Sequence, residues 1–378
     1  MKQFLSLSIL VSLLLTLFCF SACTSDNASS SGSTSNTKQE GMAEPSNVPP
    51  PVVRQEGNVS YRGFGSNLNI YTQRLSEADR KVFEAFQEQH NVKVTAVVES
   101  DGETLLNMIQ NRGESSPADL LLTMDAGLLW KAIYMGIVMP LTDQTIAANI
   151  PDQYRDYANH WSAISKYATV IAYAKDRVDA SKLKAYTDLA KADWKGRLLM
   201  GSSKDAAFQS LIASLVAHNG AEEAQKWTAA VYANLARPAS GQDMNQLAGL
   251  LNSDGDVALV GTHSVGAFLA QNPSAKDKIG VVFAKNSKGK TQVNIYGMAL
   301  AQHAPNIGNA VRMMHFLSGE AIQPQLAASN FMYPTNPKAT TSDFLQSWGS
   351  FEEDKLPLDA LGNNNQAAYQ ILRNIGWE

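Results

Sequence analysis

The sequence predicts an α/β protein built as two lobes, on three observations. Beyond about Asn67, short apolar runs alternate with amphipathic ones, the pattern of strands and helices in mostly parallel sheets. The alternation restarts near Ala168, which makes a second unit of the same kind. Together the two units span roughly 310 residues, more than one hydrophobic core usually holds.

The elements follow in order. Leu68-Asn69-Ile70-Tyr71 reads as a strand, and Ser76-Glu77-Ala78-Asp79 is a capping box opening a helix whose apolar face is Val82, Phe83 and Phe86. Val92 to Val98 is a strand, Glu103 to Gln110 a helix, Ala118 to Leu122 a buried strand and Gly127 to Tyr134 a helix. In the second unit, Thr169 to Tyr173 and Leu198 to Gly201 read as strands, followed by helices over Asp205 to His218, Ala221 to Ala233 and Met244 to Leu251. The strand Val257 to Val260 then leads to a helix starting at Thr262. Gly280 to Phe283 and Gln292 to Leu300 complete the strands, with helices at Asn309 to Leu317 and Gln366 to Gly376. The chain is expected to leave one lobe near Ile164, build the second, and cross back near Gln292.

The N-terminal segment reads differently. Lys2, the apolar run Phe4 to Phe20, and small residues before Cys23 have the form of a secretory signal. Phe20-Ser21-Ala22-Cys23 resembles the lipobox of bacterial lipoproteins, with Phe20 where that box carries Leu, so Cys23 is the expected lipidation site. The apolar run is shorter than the ~20 residues that a membrane span needs. Residues 1–22 are thus read as a lipoprotein signal peptide. Residues 23–66, rich in Ser, Asn, Thr, Pro and Gly after the lipidated cysteine, read as a flexible tether unable to bury enough surface to order itself.

Composition excludes several classes. Both cysteines, Cys19 and Cys23, lie in or at the end of the leader, so the body has no disulfide and no thiolate metal site. A net charge of −4, evenly spread, gives no footprint for nucleic acid. There is no G-x-S-x-G, no H-E-x-x-H and no Gly-rich phosphate loop followed by Lys-Ser or Lys-Thr, so an enzyme is not expected. His218, His303 and His315 stand singly, without metal-ligand spacing.

Several segments carry a family resemblance: Asn69-Ile70-Tyr71-Thr72-Gln73-Arg74, Ser116-Pro117-Ala118-Asp119, Asp125-Ala126-Gly127-Leu128-Leu129-Trp130, Trp194-Lys195-Gly196, Gln209 to Leu215, Ser347 to Phe351, Asn363-Asn364-Asn365 and Gly376-Trp377. In order and over the whole body, they resemble the periplasmic solute-binding proteins of ABC importers, in particular the ferric-iron-binding branch. The resemblance implies a type II periplasmic-binding-protein fold, two α/β lobes joined by two crossing strands and closing over a ligand by hinge motion. Lobe 1 would comprise 67–165 and 292–340, and lobe 2 would comprise 166–291 and 341–378. It also implies a monomer on the periplasmic or cell-surface side, anchored by lipid, that delivers a small-molecule or ion cargo to an ABC permease in the inner membrane.

The family holds ferric ion chiefly by tyrosine phenolates, with a histidine or carboxylate and sometimes a carbonate. Its His-Tyr pair after the first strand falls here on Leu75 and Ser76, its tyrosine before Gln209-Ser210-Leu211 on Ala207, its paired tyrosines on His263 and Ser264, and an arginine on Thr169. No tyrosine stands at these positions, so iron held in the family's manner is not expected and no cofactor is assigned. If iron is bound at all, Tyr167, His263 and Tyr296 are the replacement ligands.

The remaining groups suggest a small anionic or polar organic solute. Ser202, Ser203 and Asp205 lead into one helix, and Thr262, His263 and Ser264 lead into another, so hydroxyls and free backbone N–H groups would converge on the cleft. Tyr71, Arg74, Ser76, Asn294 and Tyr296 complete the cleft candidates, with Arg74 placed to pair with a carboxylate or phosphate. Two alternatives stand beside this reading: an iron carrier with a rebuilt shell, and a lipoprotein that has left transport to act as a sensor or interaction module.

Overall fold

The computed structural model describes residues 65–378. The expected signal peptide, Cys23 and the tether to residue 64 lie outside the described residues. Among the described residues there are nine strands: β1 (Asn67–Thr72), β2 (Lys93–Val98), β3 (Leu120–Thr123), β4 (Trp161–Ala174), β5 (Leu198–Leu199), β6 (Val257–Gly261), β7 (Ile279–Val282), β8 (Val293–Leu300) and β9 (Tyr333–Pro334). Hydrogen bonding orders them β2-β1-β3-β8-β4-β6-β5, with β7 and β9 also on β4.

β4 organises the molecule because its two halves serve two sheets. Trp161 to Ala168 pair antiparallel with β8, while Thr169 to Ala174 pair antiparallel with β6 and β7. β8 is the return crossing, since its far end, Gly297 to Leu300, pairs with β3. The two expected crossing strands are β4 and β8. The expectation of mostly parallel sheets is corrected: β1–β2, β1–β3 and β5–β6 are parallel, but every pairing made by β4 is antiparallel. Crossing out and back lays β8 antiparallel along the first half of β4, whose second half continues into the other sheet.

Short carboxylate and hydroxyl side chains start the helices. Ser76 caps Glu77–His90, its hydroxyl accepting from the Asp79 N–H, and the Asp79 carboxylate accepts from the Ser76 N–H, so the capping box forms. Val82, Phe83 and Phe86 are buried on that helix as the period predicts. Asp101, Asp125 and Asp205 cap Gly102–Gln110, Ala126–Tyr134 and Ala206–Asn219 in the same manner.

One hydrophobic cluster packs β1, β3, the first half of β4 and most of β8 with Phe86, Leu105 and Met314. Two more surround the second half of β4, one with Trp194, Leu211 and Trp227, the other with Leu199, Val260 and Phe268. The stretch 341–378, expected wholly in lobe 2, divides. Ala368, Ile371, Leu372 and Trp377 join the second cluster, but Leu358 and Leu361 pack into the first. The cause is close packing at Gly362, where an added Cβ would come within 2.2 Å of the Trp130 ring. Among the described residues, no helix is long and apolar enough to cross a membrane.

Candidate functional site

Tyr167 on β4 and Tyr296 on β8 sit where the strands cross, each 1% exposed. The Tyr167 hydroxyl donates to the Met124 carbonyl at 2.9 Å, and its ring lies 4.3 Å from that of His263. Burial pushes the Tyr167 phenol well above its ordinary range, reinforced by the charges of Asp125, Asp205 and Asp243. Tyr296 is also pushed up, first by burial and then by Asp79, with Arg74 and Thr72 opposing. Both phenols are therefore neutral hydrogen-bonding groups.

His263 is the second residue of the helix Thr262–Gln271. Its Nε2 lies 3.2 Å from the Ser264 hydroxyl, and its buried Nδ1 has no hydrogen-bond partner among the described residues. Burial, then the Arg74 charge, lowers the imidazole to about 3, so it is neutral at any physiological pH. Arg74 faces it from the other lobe. The guanidinium of Arg74 is engaged with Asn330, lies 3.4 Å from Asp79 and stacks 5.7 Å from the Tyr296 ring centroid.

Three carboxylates complete the crossing. Asp125 is 2% exposed and accepts from the Ser210 hydroxyl and the Asn294 amide, both at 2.6 Å, and from the Leu128 N–H. Burial outweighs those hydrogen bonds and raises its carboxyl. Asp205 accepts from the Ala207 and Phe208 N–H groups, and burial raises it as well. Asp243 accepts from the Gly261 N–H at 2.9 Å; burial and then the Asp205 charge push it up to about 7 against the Gly261 N–H and the Ser264 hydroxyl.

This arrangement places carboxyl groups beside both helix starts of the oxyanion reading. Asp205 closes the N-terminus of Ala206–Asn219 by accepting from the Ala207 and Phe208 N–H groups, while Asp243 accepts from the Gly261 N–H just before Thr262–Gln271, a helix with no side-chain cap. An anion at these helix starts would lie beside both carboxyl groups. Several individual candidates are also spoken for. The Ser202 and Ser203 N–H groups donate to the Gly241 and Glu378 carbonyls, and the Thr262 hydroxyl accepts from the Ala168 N–H. Ser76 is a helix cap bonded to Asp79 and Asn330, Asn294 is 1% exposed and holds Asp125, and Tyr71 is buried in the first cluster.

The crossing does bring together Arg74, Tyr167, His263, Ser264 and Tyr296 of the sequence candidates, with Asp205 beside them. Asp125, Asp243, Ser210 and Asn330 were missed. A carboxylate before a helix reads from sequence as a cap, and only the tertiary fold turns Asp125 and Asp243 toward the same tyrosine. Leu75 and Ala207, at two of the inferred ligand positions, pack as apolar residues against the first cluster. Among the described residues, no group of three His, Cys, Asp or Glu is placed to hold a metal ion.

The family model described as bacterial extracellular solute-binding protein matches residues 71–324. The chain belongs to this family. Within these solute-binding proteins, which are transport proteins and not enzymes, the likeness runs to the ferric-binding branch. Iron uptake protein A1 of Synechocystis sp. is 32% identical over 320 residues, covering 84% of this chain and 89% of that protein. The Trichodesmium IdiA (FutA) structure, in complex with iron and citrate, superposes with a TM-score of 0.77 at 32% identity, covering 82% of this chain and all of that one. The ferric binding protein from Campylobacter jejuni gives 0.79 at 30% identity with the same coverage. The fold is thus that of the type II solute-binding proteins, two lobes with β4 and β8 crossing between them.

Proposed function

We propose that this chain is the lipid-anchored solute-binding component of an ABC importer, and that its cargo is a small polar solute bearing hydrogen-bond donors or positive charge, not ferric ion held by tyrosinates. The reading rests on the ring of groups at the strand crossing. Relatives are named for iron and share the scaffold, but scaffold residues report fold while the ligand shell reports chemistry. Here the shell is two neutral phenols, a neutral imidazole and carboxylates raised by burial. A hard trivalent cation needs several anionic oxygens, and at the family's ligand positions Leu75, Ser76, Ala207, His263 and Ser264 supply none.

Ferric citrate titration tests it. The purified protein is expected to show no tyrosinate charge-transfer band and no large rise in melting temperature, whereas tight binding at 1,000 Kd would add about 4 kcal/mol. A coloured one-to-one complex would overturn the reading in favour of a rebuilt iron shell, which the free Nδ1 of His263 against Tyr167 supports as the second reading. Tyr167→Phe would then abolish the colour.

The anchor is proposed on the small residues before Cys23 and the polar segment after it. A diacylglycerol plus an N-acyl chain supplies the two lipid signals that firm anchoring takes. Cys23→Ser is expected to lose label from a radioactive fatty acid; equal label on wild type and variant refutes the anchor.

A further inference from the structure

A cavity of about 570 Å³ lies apart from the strand crossing, within the ~300–1,000 Å³ common for small-molecule sites. One wall is the turn Asp152–Tyr154 and the residues just after it. The other is the segment from Glu353 to Asp359, with Val293 at the start of β8. The Tyr154 hydroxyl donates to Glu353 at 2.5 Å, and Lys166 of β4 pairs with the same carboxylate at 2.5 Å. Lys166 and Tyr167 are consecutive on β4 and so point to opposite faces of the strand. The cavity network thus lies behind the strand whose front carries Tyr167.

The cavity is lined by five carboxylates, Asp152, Asp156, Glu353, Asp354 and Asp359, and by two cations, Arg155 and Lys355. Asp152 pairs with Arg155 and Glu353 with Lys166, while Asp156 and Asp354 each hydrogen-bond a histidine ring, His160 and His218. Among the described residues, Asp359 has no salt-bridge partner and its buried Oδ1 receives no hydrogen bond. Burial and the neighbouring Asp156 charge raise its carboxyl to about 6, partly offset by His160. A buried carboxylate oxygen without a donor is costly unless something fills the role. Around it the lining is apolar, through Leu356 and Pro357, and the Tyr157 side chain is 82% exposed on the same turn.

We propose that this cavity is a second binding site, separate from the cargo face, for a small organic ammonium ion. Asp359 holds its charge, and its hydrocarbon body lies against Leu356, Pro357 and the Tyr157 ring. An ammonium pairs with the Asp359 carboxylate that lines the cavity, and an aromatic face attracts the same charge. A carboxylate or phosphate would meet five carboxylates against two lining cations, Arg155 and Lys355. The proposal does not depend on what the cargo is.

Calorimetric titration of the full chain with four size-matched probes tests it: butylammonium, butane-1,4-diammonium, butan-1-ol and butyrate. Both ammonium ions are expected to bind and the alcohol and butyrate not to. Asp359→Asn, which keeps shape and removes charge, is expected to weaken ammonium binding at least tenfold, and Tyr157→Ala severalfold. Tyr157 is exposed, so its variant folds whether or not Asp359→Asn does. The proposal is overturned if the ammonium ions give no binding heat, if butan-1-ol binds equally well, or if affinity is unchanged in the variants, which would place the bound ion elsewhere on the molecule.

Discussion

Asp243 sits where a charged carboxylate is held at a cost. Its carboxyl titrates at about 7 in the fold, because burial and Asp205 oppose its ionisation. In an unfolded chain an aspartate titrates near ~3.9, so folding favours the neutral form. The stability this confers is complete below the unfolded value and is lost as pH rises through about 7. Asp243→Asn fixes the neutral state and still accepts from the Gly261 N–H. Wild type and variant are expected to melt together near pH 4, with the variant about 2–4 °C or more higher at pH 8, on the scale of 1 kcal/mol or above. Melting curves across that range provide the check, and parallel curves would defeat the argument. At this scale the site was half legible. Arg74, His263, Ser264, Tyr167 and Tyr296 stand out in the sequence as polar or aromatic groups at strand ends and helix starts. Asp125 and Asp243 do not, because each has a sufficient local role as a helix-start residue, and their shared effect on Tyr167 comes from parts of the chain more than a hundred residues apart.

The elements were more legible than the residues. Glu77–His90 was readable from both its box and its stripe, and Ala221–Ala233 has the bounds the pattern gives. β4 was read only from Thr169 to Tyr173, but it runs from Trp161 to Ala174. Its first half is buried on both faces, so alternation is absent, and Ser162, Ser165 and Lys166 break the apolar run that would otherwise mark a central strand. Two of those polar residues are held by distant partners, Ser165 by Met332 and Lys166 by Tyr154 and Glu353, whereas the buried Ser162 hydroxyl has no partner among the described residues. Short pieces such as Gln144–Asn149, Gln323–Ser329 and β9 also escaped, since one or two turns or two strand residues carry no measurable period.

At the scale of the whole molecule, the two lobes meet through a few polar contacts beside the crossing strands. Asp125 starts a helix whose Leu128 and Leu129 belong to the first cluster, and Ser210 lies on a helix whose Leu211 and Ile212 belong to the second. The Ser210 hydroxyl donates to the Asp125 carboxylate at 2.6 Å, a contact between fully buried groups of the two lobes. Hinge closure in a bilobal protein is favoured by contacts of this kind in the closed form and opposed by the hydration the same groups regain in the open form. Ser210→Ala removes the donor and leaves Asp125 with the Asn294 amide and the Leu128 N–H. The expected cost is about 1–3 kcal/mol, borne by the closed arrangement because an opened cleft lets water solvate the carboxylate. The variant should therefore show a larger radius of gyration in small-angle scattering while its helix and strand content by circular dichroism stays the same. An unchanged radius with wild-type stability would mean that the contact does not hold the lobes together, and that packing of Leu358, Leu361 and Gly362 against the first lobe carries closure instead.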